Sequence, residues 1–121
     1  MQYELSQTFY FEAAHTLRRQ IDAEPSRRIH GHTYIAEVTL AGTPDPDSGM
    51  LVDLAFLRRE IATLREQLDH RFLDEVEGIG PATLENLCAY IWRAMAAHYP
   101  DTLACVEVRR EASGDACRLR R

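Results

Sequence analysis

The sequence predicts an α+β domain: an antiparallel four-stranded sheet with two helices on one face. Three observations carry this. Two N-terminal runs read as strands, one rich in aromatic residues and one alternating apolar with polar residues. Two central segments repeat apolar residues at spacings of three and four, which marks amphipathic helices. The link after the second strand is a tight turn, and short links favour antiparallel neighbours. The chain has 121 residues, 45% of them apolar and 27% charged, which is ordinary composition for one domain spanning 1–121.

The first strand runs over Tyr3 to Phe11. A polar stretch from Thr16 to Arg28 follows, with Pro25 and four arginines, and reads as a loop. From Ile29 to Leu40 the period is two: His30, His32, Tyr34, Ala36, Val38 and Leu40 share one face. Gly42 to Gly49 has turn composition, and Met50 to Val52 is a short return strand. Asp53 is a candidate N-cap for a helix with Leu54, Leu57, Ile61, Leu64 and Leu68 on its buried side. Thr83 caps a second helix carrying Leu84, Leu87, Cys88, Ile91 and Met95, which Pro100 ends. Cys105 to Arg110 alternates again, and a short strand near Cys117 to Leu119 closes the chain. The second face of this sheet needs a cover, such as another subunit.

Net charge is −5, which argues against a general nucleic-acid binder. No apolar run approaches the length of a membrane span. Three widely spaced cysteines, Cys88, Cys105 and Cys117, suggest neither a disulfide framework nor a zinc ribbon, and fit a reducing compartment. Met1 to Leu5 has no signal-peptide core, so a cytoplasmic protein is expected.

His30-Gly31-His32 is the most informative tripeptide. On a strand, residues i and i+2 point the same way, so two imidazoles stand side by side. Gly31 between them removes bulk on the opposite face. His15 is the candidate third ligand if the first two strands are neighbours. Three neutral imidazoles with a fourth position open form a typical catalytic zinc arrangement, although iron or copper also accept imidazole. An incidental His-x-His on a strand is the common alternative.

Further candidates carry weaker signals. Asp69-His70 combines a carboxylate with an imidazole, a pairing suited to proton transfer, or simply a helix end that favours histidine. Glu111, at the end of a strand, can grip a guanidine-like heterocycle through two N–H groups, or stand in solvent. Arg18, Arg19, Arg27 and Arg28 can receive a polyphosphate, or solvate a loop.

In order, Phe11-Glu12-Ala13-Ala14-His15, His30-Gly31-His32, Leu68-Asp69-His70, Thr83 with Glu85 and Asn86, and Glu111 resemble the 6-pyruvoyl-tetrahydropterin synthase and 6-carboxy-tetrahydropterin synthase family. The resemblance covers nearly the whole chain. It implies the tunnelling fold, whose copies assemble into an oligomeric barrel, commonly a hexamer of two stacked trimers with active sites between subunits. It implies Zn2+ on His15, His30 and His32, and 7,8-dihydroneopterin triphosphate as substrate. Asp69 and His70 would shuttle protons, Glu111 would anchor the pterin ring, and Thr83 and Glu85 would lie in the substrate site. The compact length looks more like the bacterial branch, which makes 6-carboxy-tetrahydropterin on the route to queuosine.

One position departs from the pattern. Family members place a catalytic cysteine four residues before His-Gly-His, and here that position is Ser26. A serine hydroxyl is a far weaker acid than a thiol and needs a neighbouring base. Three readings stay open: Ser26 is an engineered change, Glu24 supplies the base and the product is 6-hydroxymethyl-dihydropterin, or the chain is a diverged paralogue or a pterin binder.

Overall fold

A computed structural model describes residues 1–121. The order of elements is β1 (Tyr3–His15), α1 (Ala23–Arg27), β2 (His30–Gly42), α2 (Leu54–Leu68), β3 (Arg71–Phe72), α3 (Leu84–Ala96), β4 (Leu103–Arg110) and β5 (Asp115–Arg120), with a 3-10 turn at Leu73–Glu75. The sheet has five strands in the order β3-β1-β2-β4-β5. The expected α+β class with its two main helices holds, and the count of four strands is corrected to five.

The extra strand is β3. It pairs with β1 only at Ala13–Arg71 and Ala14–Phe72, and it runs parallel, so the sheet is not wholly antiparallel. Two residues are too few to show any periodicity. The return strand expected over Met50 to Val52 is absent from the sheet. Leu51 and Val52 instead pack against the core from an unpaired segment. It follows a turn built on Asp45, whose carboxylate accepts from the Asp47 and Ser48 N–H groups at 2.7 and 3.1 Å. The loop expected from Thr16 to Arg28 contains α1, with Pro25 in its first turn, where a missing N–H costs nothing.

One sheet face is buried by the helices. Phe9, Phe11 and Ala13 of β1, Tyr34, Ala36 and Val38 of β2, and Val106 and Val108 of β4 supply it. Leu57, Ile61, Leu64 and Leu68 of α2 and Leu87, Cys88, Ile91 and Met95 of α3 lie in the same core. Asp53 caps α2 by accepting from Ala55 N–H at 2.9 Å, and Thr83 caps α3 by accepting from Asn86 N–H at 3.1 Å. Alternation fails at Val38, Thr39 and Leu40, all buried, because the β2–β4 register shifts between Thr39 and Leu40.

Phe11 is fully buried and stacks on Tyr34 with ring centroids 5.0 Å apart. Phe11→Ala removes that ring from a closed core and is expected to cost about 3–5 kcal/mol. Denaturant unfolding of the metal-free chain measures it, and a loss under about 1 kcal/mol would contradict this packing.

Candidate metal centre

The β1–β2 register sets His15 opposite His30 and Ala13 opposite His32. Side chains on one face of paired strands meet directly across and along the diagonal, so three imidazoles converge at one end of the sheet. The three potential ligand atoms all lie within 4.8 Å of one another. The rings pack edge-on at centroid distances of 4.5 to 5.0 Å.

Two backbone carbonyls fix which nitrogen faces inward. His15 Nδ1 lies 2.9 Å from the Ala82 carbonyl oxygen, and His30 Nδ1 lies 2.7 Å from that of Arg28. A carbonyl only accepts, so each Nδ1 carries the proton and donates it. Each Nε2 then keeps its lone pair for the centre, the arrangement metal-bound histidines ordinarily show. The Ala82 carbonyl is delivered by the link between α2 and α3, which turns through Gly78 and Gly80 at φ 92° and 71°, the left-handed region that favours glycine. His32 Nε2 faces His15 Nε2 at 3.0 Å. Two nitrogens so placed need a proton or a cation between them. The donor set fits a metal that takes imidazole ligands with a position to spare.

Protonation is disfavoured at this centre. Burial pushes the His15 pKa below its usual value, and His30 and Arg110 add to the effect. Burial, then the Arg110 guanidinium, lowers that of His32 to about 4. Both rings are therefore neutral, as ligands must be. The consequence for the metal-free chain has a definite sign. A folded-state pKa below the unfolded value means that the unfolded chain takes up protons first. Stability is then retained above about pH 6.5 and falls on acidification towards pH 4. Thermal unfolding across that range should show the decline, and His32→Gln should flatten it.

The other sequence candidates lie in four places. Asp69 and His70 do touch: Asp69 Oδ2 is 2.9 Å from His70 Nδ1. Asp69 also accepts from Glu12 N–H at 2.9 Å and pairs with Arg65 at 3.1 Å. The Glu12 N–H, ahead of the other partners, holds its carboxyl below the usual range. His70 sits at φ 58°, unusual for a residue other than glycine, and its N–H donates to the Glu12 carbonyl at 2.6 Å. These bonds pin the pair to β1 and present an exposed imidazole. His70 lines a cavity of about 570 Å³ with Glu12, Gly31, Thr33 and His32, so it borders the same space as one imidazole of the cluster. No hydrogen bond or ring contact joins it to His15, His30 or His32. Gly31 opens this cavity by having no side chain, though a Cβ there would meet only the Ala13 carbonyl at 3.7 Å.

Glu111 stands exposed just beyond β4 and accepts from Arg109 Nε at 3.4 Å. Thr83 and Glu85 line a second cavity of about 460 Å³ with Arg18, Arg19, Arg110 and Asp115. Ser26 is buried in α1, and its carbonyl accepts from Leu17 N–H at 2.7 Å. Glu24 points into solvent and pairs with Arg28 at 2.8 Å. Cys88 is ill suited to replace the thiol absent at position 26: burial pushes its pKa up to about 12, and it donates to the Cys117 carbonyl at 3.3 Å.

Sequence reasoning missed Tyr34 and Arg110 as parts of this centre. The Tyr34 hydroxyl lies 3.5 Å from His15 Nδ1, and Arg110 Nη1 lies 3.5 Å from His32 Nε2. The signal for Arg110 was present, since it extends the Val106–Val108 face of β4 and is a charge where that face is buried.

A model of the 6-pyruvoyl tetrahydropterin synthase family matches residues 4–121. The chain is 32% identical over 116 residues to the 6-carboxy-5,6,7,8-tetrahydropterin synthase of Bacillus subtilis, covering 88% of this chain and 76% of that one. It is 42% identical over 67 residues to the 6-pyruvoyl tetrahydrobiopterin synthase of Drosophila melanogaster, covering 52% of this chain and 40% of that one. Its structure superposes on 6-pyruvoyl tetrahydropterin synthase of Caenorhabditis elegans with a TM-score of 0.86 and 26% identity, covering 100% of this chain and 96% of that one. The match spans the strands that align the three histidines, the Asp69–His70 turn and the end of β4. By sequence and by fold together, the chain belongs to the 6-pyruvoyl tetrahydropterin synthase family.

Proposed function

We propose that this chain is a zinc-dependent pterin synthase, a lyase acting on 7,8-dihydroneopterin triphosphate, with 6-carboxy-tetrahydropterin as its product on the route to queuosine. The observation that carries the reading is the trio of imidazoles with each fixed Nδ1 on a carbonyl and the Nε2 atoms turned together. The 6-carboxy product is supported by the Bacillus subtilis relative, which aligns over most of this chain. A cytoplasmic location is supported by three unpaired cysteines.

His15, His30 and His32 would hold the zinc, which when bound polarises a substrate oxygen and eases loss of its proton. His70 moves protons, and Asp69 holds its Nδ1–H so that Nε2 is the working atom. Glu111 grips the pterin ring through its carboxylate. Thr83 and Glu85 border the substrate, although the Thr83 hydroxyl is already engaged as the α3 cap.

His70 shares its cavity with His32, whereas Thr83 and Glu85 line a separate one. This arrangement supports a site completed by a second copy, as in a hexameric barrel. Two sheet edges are free to pair: β5, and β1 beyond its two-residue contact with β3. Tyr3 and Tyr10 are exposed on β1.

A second reading, a pterin binder without turnover, has one observation behind it: a buried hydroxyl, Ser26, stands at the position where the family pattern has a thiol. Glu24 gains no support as a substitute base, because it is paired to Arg28 at the surface.

Incubating zinc-loaded protein with 7,8-dihydroneopterin triphosphate, with mass spectrometry of the products, tests the proposal. A pterin bearing a one-carbon carboxyl side chain is expected. A 6-pyruvoyl or 6-hydroxymethyl product would assign another branch, and intact substrate would favour the binder.

A further inference from the structure

The orientation of His15 rests on a backbone group. Its Nδ1–H donates to the Ala82 carbonyl at 2.9 Å. That carbonyl shares a peptide plane with the Thr83 N–H, and in a trans peptide the two point in opposite directions. The Thr83 N–H donates to the Pro81 carbonyl at 2.8 Å, which sets the plane and turns the Ala82 oxygen towards His15. The Pro81 oxygen accepts a second bond, from Asn86 Nδ2 at 2.7 Å. A carbonyl only accepts, so the amide nitrogen of Asn86 is the end that faces it. Asn86 also donates its own N–H to Thr83 Oγ1 at 3.1 Å. One residue of α3 therefore ties both ends of the Pro81–Thr83 turn.

The turn needs such a tie. It follows Gly78 and Gly80, and glycines give a link more conformational freedom than other residues. His15 also has a competing partner. The Tyr34 hydroxyl lies 3.5 Å from Nδ1, and a hydroxyl donates as well as accepts. Donation from Tyr34 needs a bare Nδ1, which places the ring proton on Nε2 and takes away the lone pair a metal requires. The Ala82 carbonyl cannot donate, so it enforces the Nδ1–H form as long as it stays aimed at the ring.

We propose that Asn86 is a positioning residue of the histidine centre. By fixing the Pro81–Thr83 turn it aims the Ala82 carbonyl at His15 Nδ1 and keeps His15 Nε2 free for the metal. The inference rests on the metal reading above and adds to it the residue that secures the ligating form of His15.

The test uses the full chain labelled with 15N at its histidines, first free of metal and then titrated with zinc against a chromophoric chelator. Asn86→Ala removes the donor and places a strong helix former in the first turn of α3. The imidazole 15N shifts of metal-free His15 should move from the Nδ1–H form towards the Nε2–H form. Zinc affinity should fall about 10-fold, the lower end of the loss when an outer partner of a metal ligand is removed. Asn86→Asp keeps the shape, suits the positive end of α3 and also lacks the N–H, so it decides the matter if Asn86→Ala does not fold. Tyr90→Phe is the control for stability alone. It deletes another α3 hydrogen bond, from the Tyr90 hydroxyl to Gln67 at 2.7 Å, and should leave both readouts at the parent values. His15 remaining in the Nδ1–H form in both Asn86 variants would overturn the assignment, whatever the zinc affinity. An equal change in Tyr90→Phe would overturn it as well. A parent chain that binds no zinc would overturn the metal reading, while the His15 shifts of the metal-free chains would still decide the role of Asn86.

Discussion

His32→Ala should reduce bound zinc from about one per chain to a small fraction of that under the same loading. Imidazole is the whole donor set here, so removing one of three ligands leaves two, too few for a stable site. Losing an outer hydrogen bond to a metal ligand costs 10- to 100-fold in affinity, and losing the ligand itself should exceed about 100-fold. His32 suits the test better than His15. His15 is 1% exposed and bonded to Ala82, so its removal also opens the core, whereas His32 is only half-buried. His32→Ala should therefore keep its fold by circular dichroism while losing metal by atomic absorption. A variant that retained one zinc per chain would remove His32 from the ligand set.

The second large effect concerns turnover with metal in place. His70→Asn should lower kcat by about 10²–10⁴-fold while zinc content stays at the parent level. Asparagine is the suitable replacement because it tolerates the left-handed backbone that His70 adopts at φ 58°. Alanine there would confound lost chemistry with strain. Steady-state kinetics on the zinc-loaded protein measures the effect. A kcat within about threefold of the parent would show that His70 moves no proton in the slow step. If the site is completed by a second copy, mixing His70→Asn chains with His32→Ala chains should restore part of the activity, since some interfaces then combine an intact His70 with an intact cluster.

The histidine cluster was legible because it depends on periodicity. His30 and His32 share a face at a spacing of two, and the antiparallel pairing of β1 with β2 brings His15 across from them. The helices were legible for the same reason, through Asp53 and Thr83 as caps and the three-and-four spacing behind them. What was not legible depends on long-range placement. The two-residue β3 exists because the Asp69–His70 turn is fastened to Glu12, 57 residues away in the case of the Asp69 bond. The Met50–Val52 segment is apolar like a buried strand, yet it lies beside the N-terminal end of β1 without joining the sheet. Arg110 was readable as a charge on a buried face, but its use depends on its neighbours, His32 and Asp115. Contact between Asp69 and His70 could not be read from adjacency and required the backbone angles of the turn.

The most direct test of the central claim is X-ray absorption at the zinc edge of the zinc-loaded chain. The account predicts imidazole nitrogens at about 2.0–2.1 Å with the outer-shell scattering of three rings, and no sulfur. A sulfur shell near 2.3 Å would place Cys88, Cys105 or Cys117 on the metal and contradict the three-histidine centre.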